Sequence, residues 1–387
     1  KCDRGFDAPM THRERILTAL RREPTDRVPA DLGSTLATTL TAGAHRRLRQ
    51  HLGLAAEPEP PLFSKRSLTV VPDQAILERF DVDARPLLLG AGEARPDREL
   101  AGDAFIDEWG ITWSKPSGGH YINTDGPFHR VGEPSQRLLE EFDWPDPDDA
   151  GRYRGLGERA RALHQGADCA VVLGLSVGPV HQCQFLRGYA EWLEDLLANP
   201  AFAEGLLERA ADFWIRTTTR ALQEAAGSVD LVMFGDDLGT QRATLIRPAL
   251  YRSLVKPRHR RMVQAVKRFG KPVLFHTCGS VVPFLPDFIE IGIDALNPIQ
   301  VSAAGMDPLR LKRDYGRDLA FWGAIDNQRL LPFGTPAEVR AQVRRRIGEL
   351  GPGGGYVLSA AHNIQADVPP ENVVALYDAA REAGREG

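Results

Sequence analysis

The chain has 387 residues, 42% of them hydrophobic and 26% charged, and a formal net charge of −4. That is ample for a large core or two domains, and a slightly acidic balance excludes the electrostatic footprint of a nucleic-acid or anionic-membrane binder. No run reaches the roughly 18 apolar residues of a membrane helix.

No signal peptide is visible. The four cysteines, at 2, 169, 183 and 278, show no paired spacing, which points to the reducing cytoplasm rather than a disulfide framework. The first nine residues precede Met10-Thr-His-Arg-Glu-Arg, which reads as a natural start. They are set aside as a tag or disordered tail, and 10–387 is taken as a single domain.

In chain order, 10–22 is an amphipathic helix with Ile16, Leu17 and Leu20 on one side, and the run after Val28-Pro29 is a first short strand ending near Leu32-Gly33. Residues 37–52 are helical. The stretch 57–136 is rich in Pro, Gly and Asp and reads as an insertion or cap; within it 105–114 alternates like a hairpin. After 144–147 the pattern is regular. Helix 151–165 leads to a strand at 170–175, then a loop, then helices 189–198 and 201–226. Strands at 231–234, 273–276, 295–297, 319–322 and 356–359 are each followed by a helix: 248–269, 281–291, 306–315, 336–350 and 370–384.

Six strands after residue 169 and about two before it make eight βα units. The architecture that uses such a series is the α/β (β/α)8 TIM barrel, here with an N-terminal insertion or cap. The other α/β solution, an open doubly wound sheet, is disfavoured because no Gly-rich phosphate loop follows the first strand. Basic runs such as 256–261 and 344–346 sit in helical patterns and read as solvated faces. His45, His51 and His259, in Arg-rich helical contexts, are expected at the surface.

In a barrel, chemistry belongs where strands end. The polar residues just past the apolar runs are Asp31 and Ser34, Ser176 and His181, Asp236 and Asp237, His276 and Cys278, Asn297 and Gln300, Asp326 and Gln328, and His362 and Asn363. His276 and Cys278 are two apart at a strand end, so their side chains point the same way. Both offer good zinc donors, and together they supply half of a metal site; the alternative is a buried imidazole beside a buried thiol. For Asp236 and Asp237 the alternatives are a catalytic carboxylate, a partner orienting a metal-binding imidazole, or a loop cap. His181 is a candidate substrate contact or a loop hydrogen bonder. Asp326 and Gln328 are pocket lining or a helix cap. Glu108 and Tyr121, in the insertion, could reach the pocket mouth from above.

Several segments together resemble one family: Phe234-Gly-Asp-Asp-Leu-Gly-Thr-Gln, His276-Thr-Cys-Gly, Ile293-Asp-Ala-Leu-Asn-Pro-Ile-Gln, Trp322-Gly-Ala-Ile-Asp and His362-Asn-Ile-Gln-Ala-Asp-Val-Pro-Pro-Glu-Asn. They are similar to the uroporphyrinogen decarboxylase superfamily, over about 13–383 and most densely from 231 onward. The resemblance implies a (β/α)8 barrel and one of two chemistries: metal-free porphyrinogen decarboxylation, or zinc-dependent methyl transfer linked to a corrinoid.

The decarboxylases grip substrate propionates with an Arg-rich first loop, and here no arginine lies between Arg27 and Arg46. A substrate with eight carboxylates needs several guanidinium partners, so the methyltransferase branch is favoured. That branch carries His-x-Cys plus a later Cys. His276 and Cys278 match the pair, while His362 stands at the later position, a departure that decarboxylases share.

The resemblance thus implies a zinc site of His276, Cys278 and His362 with an open fourth position, and Asp236 and Asp237, from their place after a barrel strand, are the expected catalytic groups. His181, Asn297, Gln300, Asp326, Gln328 and Tyr121 are the expected substrate contacts. The partners expected are a small-molecule substrate and a separate corrinoid protein, with a homodimer left open. The competing reading is a decarboxylase or lyase acting on a small carboxylate, with an Asp as the acid.

Overall fold

The six apolar runs after residue 169 form strands Ala170–Gly174, Leu231–Gly235, Val273–His276, Ala295–Asn297, Ala320–Ile325 and Tyr356–Ala360. They pair in chain order, all parallel, and Ala84–Leu87 adds a seventh beside Ala170–Gly174. In the computed structural model, which describes residues 9–55, 58–175 and 177–384, the segment around Ala30 supplies the eighth stave. Ala30 bridges Leu358 in parallel. The Asp31 N–H donates to the Leu358 carbonyl (2.9 Å), Leu358 N–H to Pro29 (2.8 Å), and Asp83 N–H to Ala30 (2.9 Å). Bonded to both outer strands, this segment closes the sheet into the expected barrel. Ser176 and the tail up to residue 8 lie outside the described residues.

The period of two sorts each strand's side chains. Val232 and Phe234 face the surrounding helices, while Leu231 and Met233 join Ala84, Ala170, Val172, Leu274, Ala295, Ala320, Trp322 and Val357 inside the barrel. Small residues dominate because eight staves leave little room within. Helix His12–Leu20, started by a Thr11–Glu14 capping box, sends Ile16, Ala19 and Leu20 into the same inner cluster. It stoppers the barrel at the N-terminal ends of the strands.

Three sequence readings change. The stretch 57–136 is not all insertion, because Ala84–Leu87 within it is a barrel strand; Arg85 and Pro86 break the apolar run that would have marked it. What stands over the barrel mouth is the pair Leu62–Ser64 and Thr69–Val70, plus an antiparallel sheet of Arg98–Leu100, Ala104–Ile106, Thr112–Ser114 and Ile122–Asp125. In that sheet Phe105 faces Trp113, the hairpin that the alternation predicted.

The loop expected after Ala170–Gly174 contains a helix, Pro179–Arg187, opened by Pro at its first position and closed at Gly188, whose φ is +96°. The helix expected over 248–269 widens to a π turn at Tyr251–Val255, just ahead of Pro257. Pro257 has no N–H to donate one turn back. No described helix is long and apolar enough to cross a membrane.

Candidate metal centre

His276 ends its strand between Gly235 on one neighbour and Asn297 on the other. A Cβ on Gly235 would stand 2.5 Å from the His276 Cβ, so only glycine lets the imidazole occupy this place. Gly279, at φ +88°, turns the chain immediately after Cys278; there a Cβ would meet the Gly239 backbone at 2.4 Å.

The turn leaves the Cys278 Sγ 3.5 Å from the His276 Nε2. His362, just past Tyr356–Ala360, brings its ring to 5.6 Å from that of His276, edge to face. One donor atom from each of the three residues lies within 4.8 Å of the others.

The His276 ring is fixed from behind. Its Nδ1 lies 2.7 Å from the Asn297 Oδ1, and the Asn297 amide nitrogen reaches the Trp322 carbonyl at 3.5 Å. An amide oxygen accepts, so Nδ1 carries the proton and Nε2 keeps its lone pair toward Cys278. Burial pushes the His276 imidazole down to about 4, which keeps it neutral. Burial and the charge of Asp237 push the Cys278 thiol up. Two imidazoles and a thiol converging in this way are the donor types of a zinc site, and the arrangement fits that ion.

A cavity of about 230 Å³ opens beside these donors, lined by His276, His362, Asn363, Asp237, His181, Arg66 and an apolar wall that includes Leu175, Val177, Met233, Trp113 and Phe185. The two neighbouring aspartates face different ways. Asp237 lines the cavity, accepts the Cys278 N–H at 2.8 Å, and stands 3.7 Å from the His181 Nε2 and 3.8 Å from the His276 Nε2.

Asp236 is fully buried and set back from the cavity. It accepts the His181 N–H at 2.7 Å and lies 2.8 Å from the His259 Nε2, whose other ring nitrogen reaches the Tyr251 hydroxyl at 3.3 Å. Of the expected catalytic pair, then, only Asp237 reaches the cavity.

Burial would lower the His181 imidazole, but the hydrogen bond and charge of Asp237, the charge of Asp236 and the Gly235 carbonyl push it up to about 9. Burial would likewise raise Asp237. His181 and His276, with the Cys278 N–H, hold its carboxyl well below the usual range instead. The cavity floor therefore carries an ionised carboxylate against a protonated imidazole.

Other expected contacts sit elsewhere. Asn297 is fully buried behind His276. Gln300 accepts the Gly279 N–H (2.7 Å) and so holds the turn after Cys278. Asp326 caps the backbone of Gln328 and Arg329 (2.7 and 3.2 Å), and Gln328 bonds Gln241 and Ser302. Tyr121 packs edge-on to Phe105 in the cap, and Glu108 pairs with Arg152.

His45 and His259, expected at the surface, are buried, whereas His51 is exposed. The signal for His259 was present: with Met262, Val263 and Val266 it makes the i, i+3, i+4, i+7 stripe of a buried helix face. Arg66 and Asn363 line the cavity, and of the two only Asn363 had been marked. Among the described residues Cys169, Cys183 and Cys278 are free thiols.

Comparison with known proteins bears on this geometry. A methylated-thiol–coenzyme M methyltransferase of Methanosarcina mazei is 25% identical over 297 residues, covering 76% of this chain and 73% of that relative. A uroporphyrinogen decarboxylase of Alkalilimnicola ehrlichii is 26% identical over 385 residues, covering 95% and 93%. The solved structure of a methyltransferase from Methanosarcina mazei superposes with a TM-score of 0.66 at 20% identity, over 96% of this chain and 99% of that one, and shares the fold. The two kinds of enzyme match at nearly equal identity. Residues 122–383 match the family described as Uroporphyrinogen decarboxylase (URO-D), and the chain belongs to that family.

Proposed function

We propose that the protein is a zinc-dependent one-carbon transferase or demethylase that takes a small substrate at His276, Cys278 and His362. The observation that carries this reading is the meeting of three donors from two distant strand ends within 4.8 Å of one another, with His276 held in the ligating tautomer by Asn297. His276, Cys278 and His362 would hold the zinc ion, which would supply Lewis-acid stabilisation of a substrate thiol or hydroxyl as its anion.

The chain's own groups do the rest. Asp237, ionised at the cavity floor, orients the substrate's proton-bearing group. His181 holds the Asp237 carboxylate in place. The apolar wall and the cap exclude water from the reacting atoms. The one-carbon group would come from, or pass to, a separate corrinoid protein docking over the mouth.

The competing reading is decarboxylation of a small carboxylate. An acid for that reaction must arrive protonated, and Asp237 is held ionised, so the role would fall to His181. A porphyrinogen fits poorly, because among the described residues Arg66 is the single arginine on the cavity wall, and Arg27 is tied to Asp81 and Asp83 at the other end of the barrel.

Elemental analysis decides between the readings. One zinc per chain, lost in His276→Ala and Cys278→Ala, is expected. Full metal content and turnover in both variants would remove the proposal.

A further inference from the structure

Gly178 starts helix Pro179–Arg187 without a capping side chain of its own. The first N–H groups of a helix need an acceptor, and a carboxylate there also meets the positive end of the helix dipole. Asp236 supplies it from just past the neighbouring strand, its Oδ1 taking the His181 N–H at 2.7 Å. The carboxylate stands so close that a Cβ on Gly178 would lie 2.4 Å from Oδ2, which leaves an ordinary cap residue no room. On its other side the Asp236 N–H donates to the His276 carbonyl at 3.0 Å. Asp236 thereby joins the helix that carries His181 to the strand that ends in His276.

A buried carboxylate oxygen without a donor is costly, and Oδ2 needs one. His259 provides it from helix Lys256–Lys267, fully buried, with Nε2 2.8 Å from Oδ2. A carboxylate only accepts, so Nε2 carries a proton, and Nδ1 faces the Tyr251 hydroxyl at 3.3 Å. The ring otherwise lies among Phe275 (5.1 Å), Tyr251 (5.8 Å) and Phe234 (6.2 Å). Packing in such an aromatic box does not call for an imidazole, since an apolar ring fills it without the cost of burying polar atoms. The bond to Asp236 does call for one.

We propose that Asp236 and His259 are positioning residues for the cavity. His259 holds the Asp236 carboxylate in its capping orientation, and that cap holds the His181 imidazole 3.7 Å from Asp237. The chemistry this serves rests on the metal-centre reading above; the geometry does not.

NMR titration of the His181 ring, in protein equilibrated with zinc, is the test, because that ring reads the charges of Asp237 and Asp236 and the Gly235 carbonyl that face it. His259→Phe keeps the aromatic packing and removes the donor, and the His181 midpoint should fall by about one unit or more. His259→Gln keeps an N–H donor and should restore most of the wild-type midpoint, even where it melts no higher than the Phe variant. One midpoint shared by the wild type and both variants overturns the inference, whatever their melting temperatures. If the Phe variant does not fold, amide exchange in the wild type decides. A His181 N–H capped by Asp236 is protected, and one that exchanges as fast as a free loop amide overturns the inference.

Zinc content of the same samples reports separately on the metal reading. Protein without zinc that still shows the fall and the rescue keeps both positioning residues and removes the metal centre. Bound zinc with an unmoved midpoint does the reverse.

Discussion

The two ends of the barrel handle charge in opposite ways. At the N-terminal end the fully buried Asp83 accepts from Arg15 (2.5 Å), Arg27 (2.8 Å), the Ala30 N–H (2.7 Å) and the His12 ring (2.8 Å), so each of its lone pairs is used. At the C-terminal rim, among the described residues, the Arg66 guanidinium meets no carboxylate or carbonyl, and His276, held from behind by Asn297, turns its other nitrogen toward Cys278 and His362, with one donor atom of each residue within 4.8 Å of the others. The first arrangement is finished by the fold alone. The second is finished only by something that binds. Polar groups left open at one end and closed at the other separate a site from a scaffold made of the same residue types.

The largest expected effect breaks the closed end. Asp83→Asn removes the carboxylate that Arg15 and Arg27 share, leaving Arg15 with Asp26 and Arg27 with Asp81, and should cost about 3 kcal/mol in urea denaturation while metal stoichiometry stays at its wild-type value. Burial would raise the Asp83 carboxyl, but His12, Arg27 and Arg15 hold it below the usual range. Its contribution is therefore present above the unfolded pKa of about 3.9 and lost as pH falls through the lower folded value. Melting curves below pH 4 should steepen this loss in the wild type and not in the variant.

At the open end, Asn297→Ala frees the His276 ring, and metal affinity should drop by about 10–100-fold in competition with a chelator. Unchanged affinity would show that the back of the imidazole does not matter. His181 sharpens the contrast further. With a folded pKa of about 9 against about 6.5 unfolded, it contributes stability in full below pH 6.5, and the contribution fades as pH rises through 9. NMR titration of its ring should give the higher value in the wild type and a lower one in Asp237→Asn. The smallest effect is Asp326→Ala, which loses only a loop cap and should cost about 1 kcal/mol, with metal binding intact.

The barrel was readable because each stave is an apolar run ending in polar residues, and the rim rule placed His276, Cys278 and His362 at one end before any contact was known. What could not be read was orientation. Asp236 and Asp237 are adjacent, so the strand's alternation sends one into the helix layer and the other into the cavity, and composition gives no sign of which is which. Gln300 and Asp326 were located correctly on the rim, yet their side chains turn back to bond the loops that carry them. Arg66 sat in a segment whose strands are two and three residues long, too short for any periodicity to show which way it points.

The helix that plugs the lower barrel has a kinetic corollary. With Ile16, Ala19, Leu20 and Trp322 blocking the floor, everything that enters or leaves must share one doorway. For the proposed transfer, the acceptor and the one-carbon donor would both have to approach His276, Cys278 and His362 from that one side.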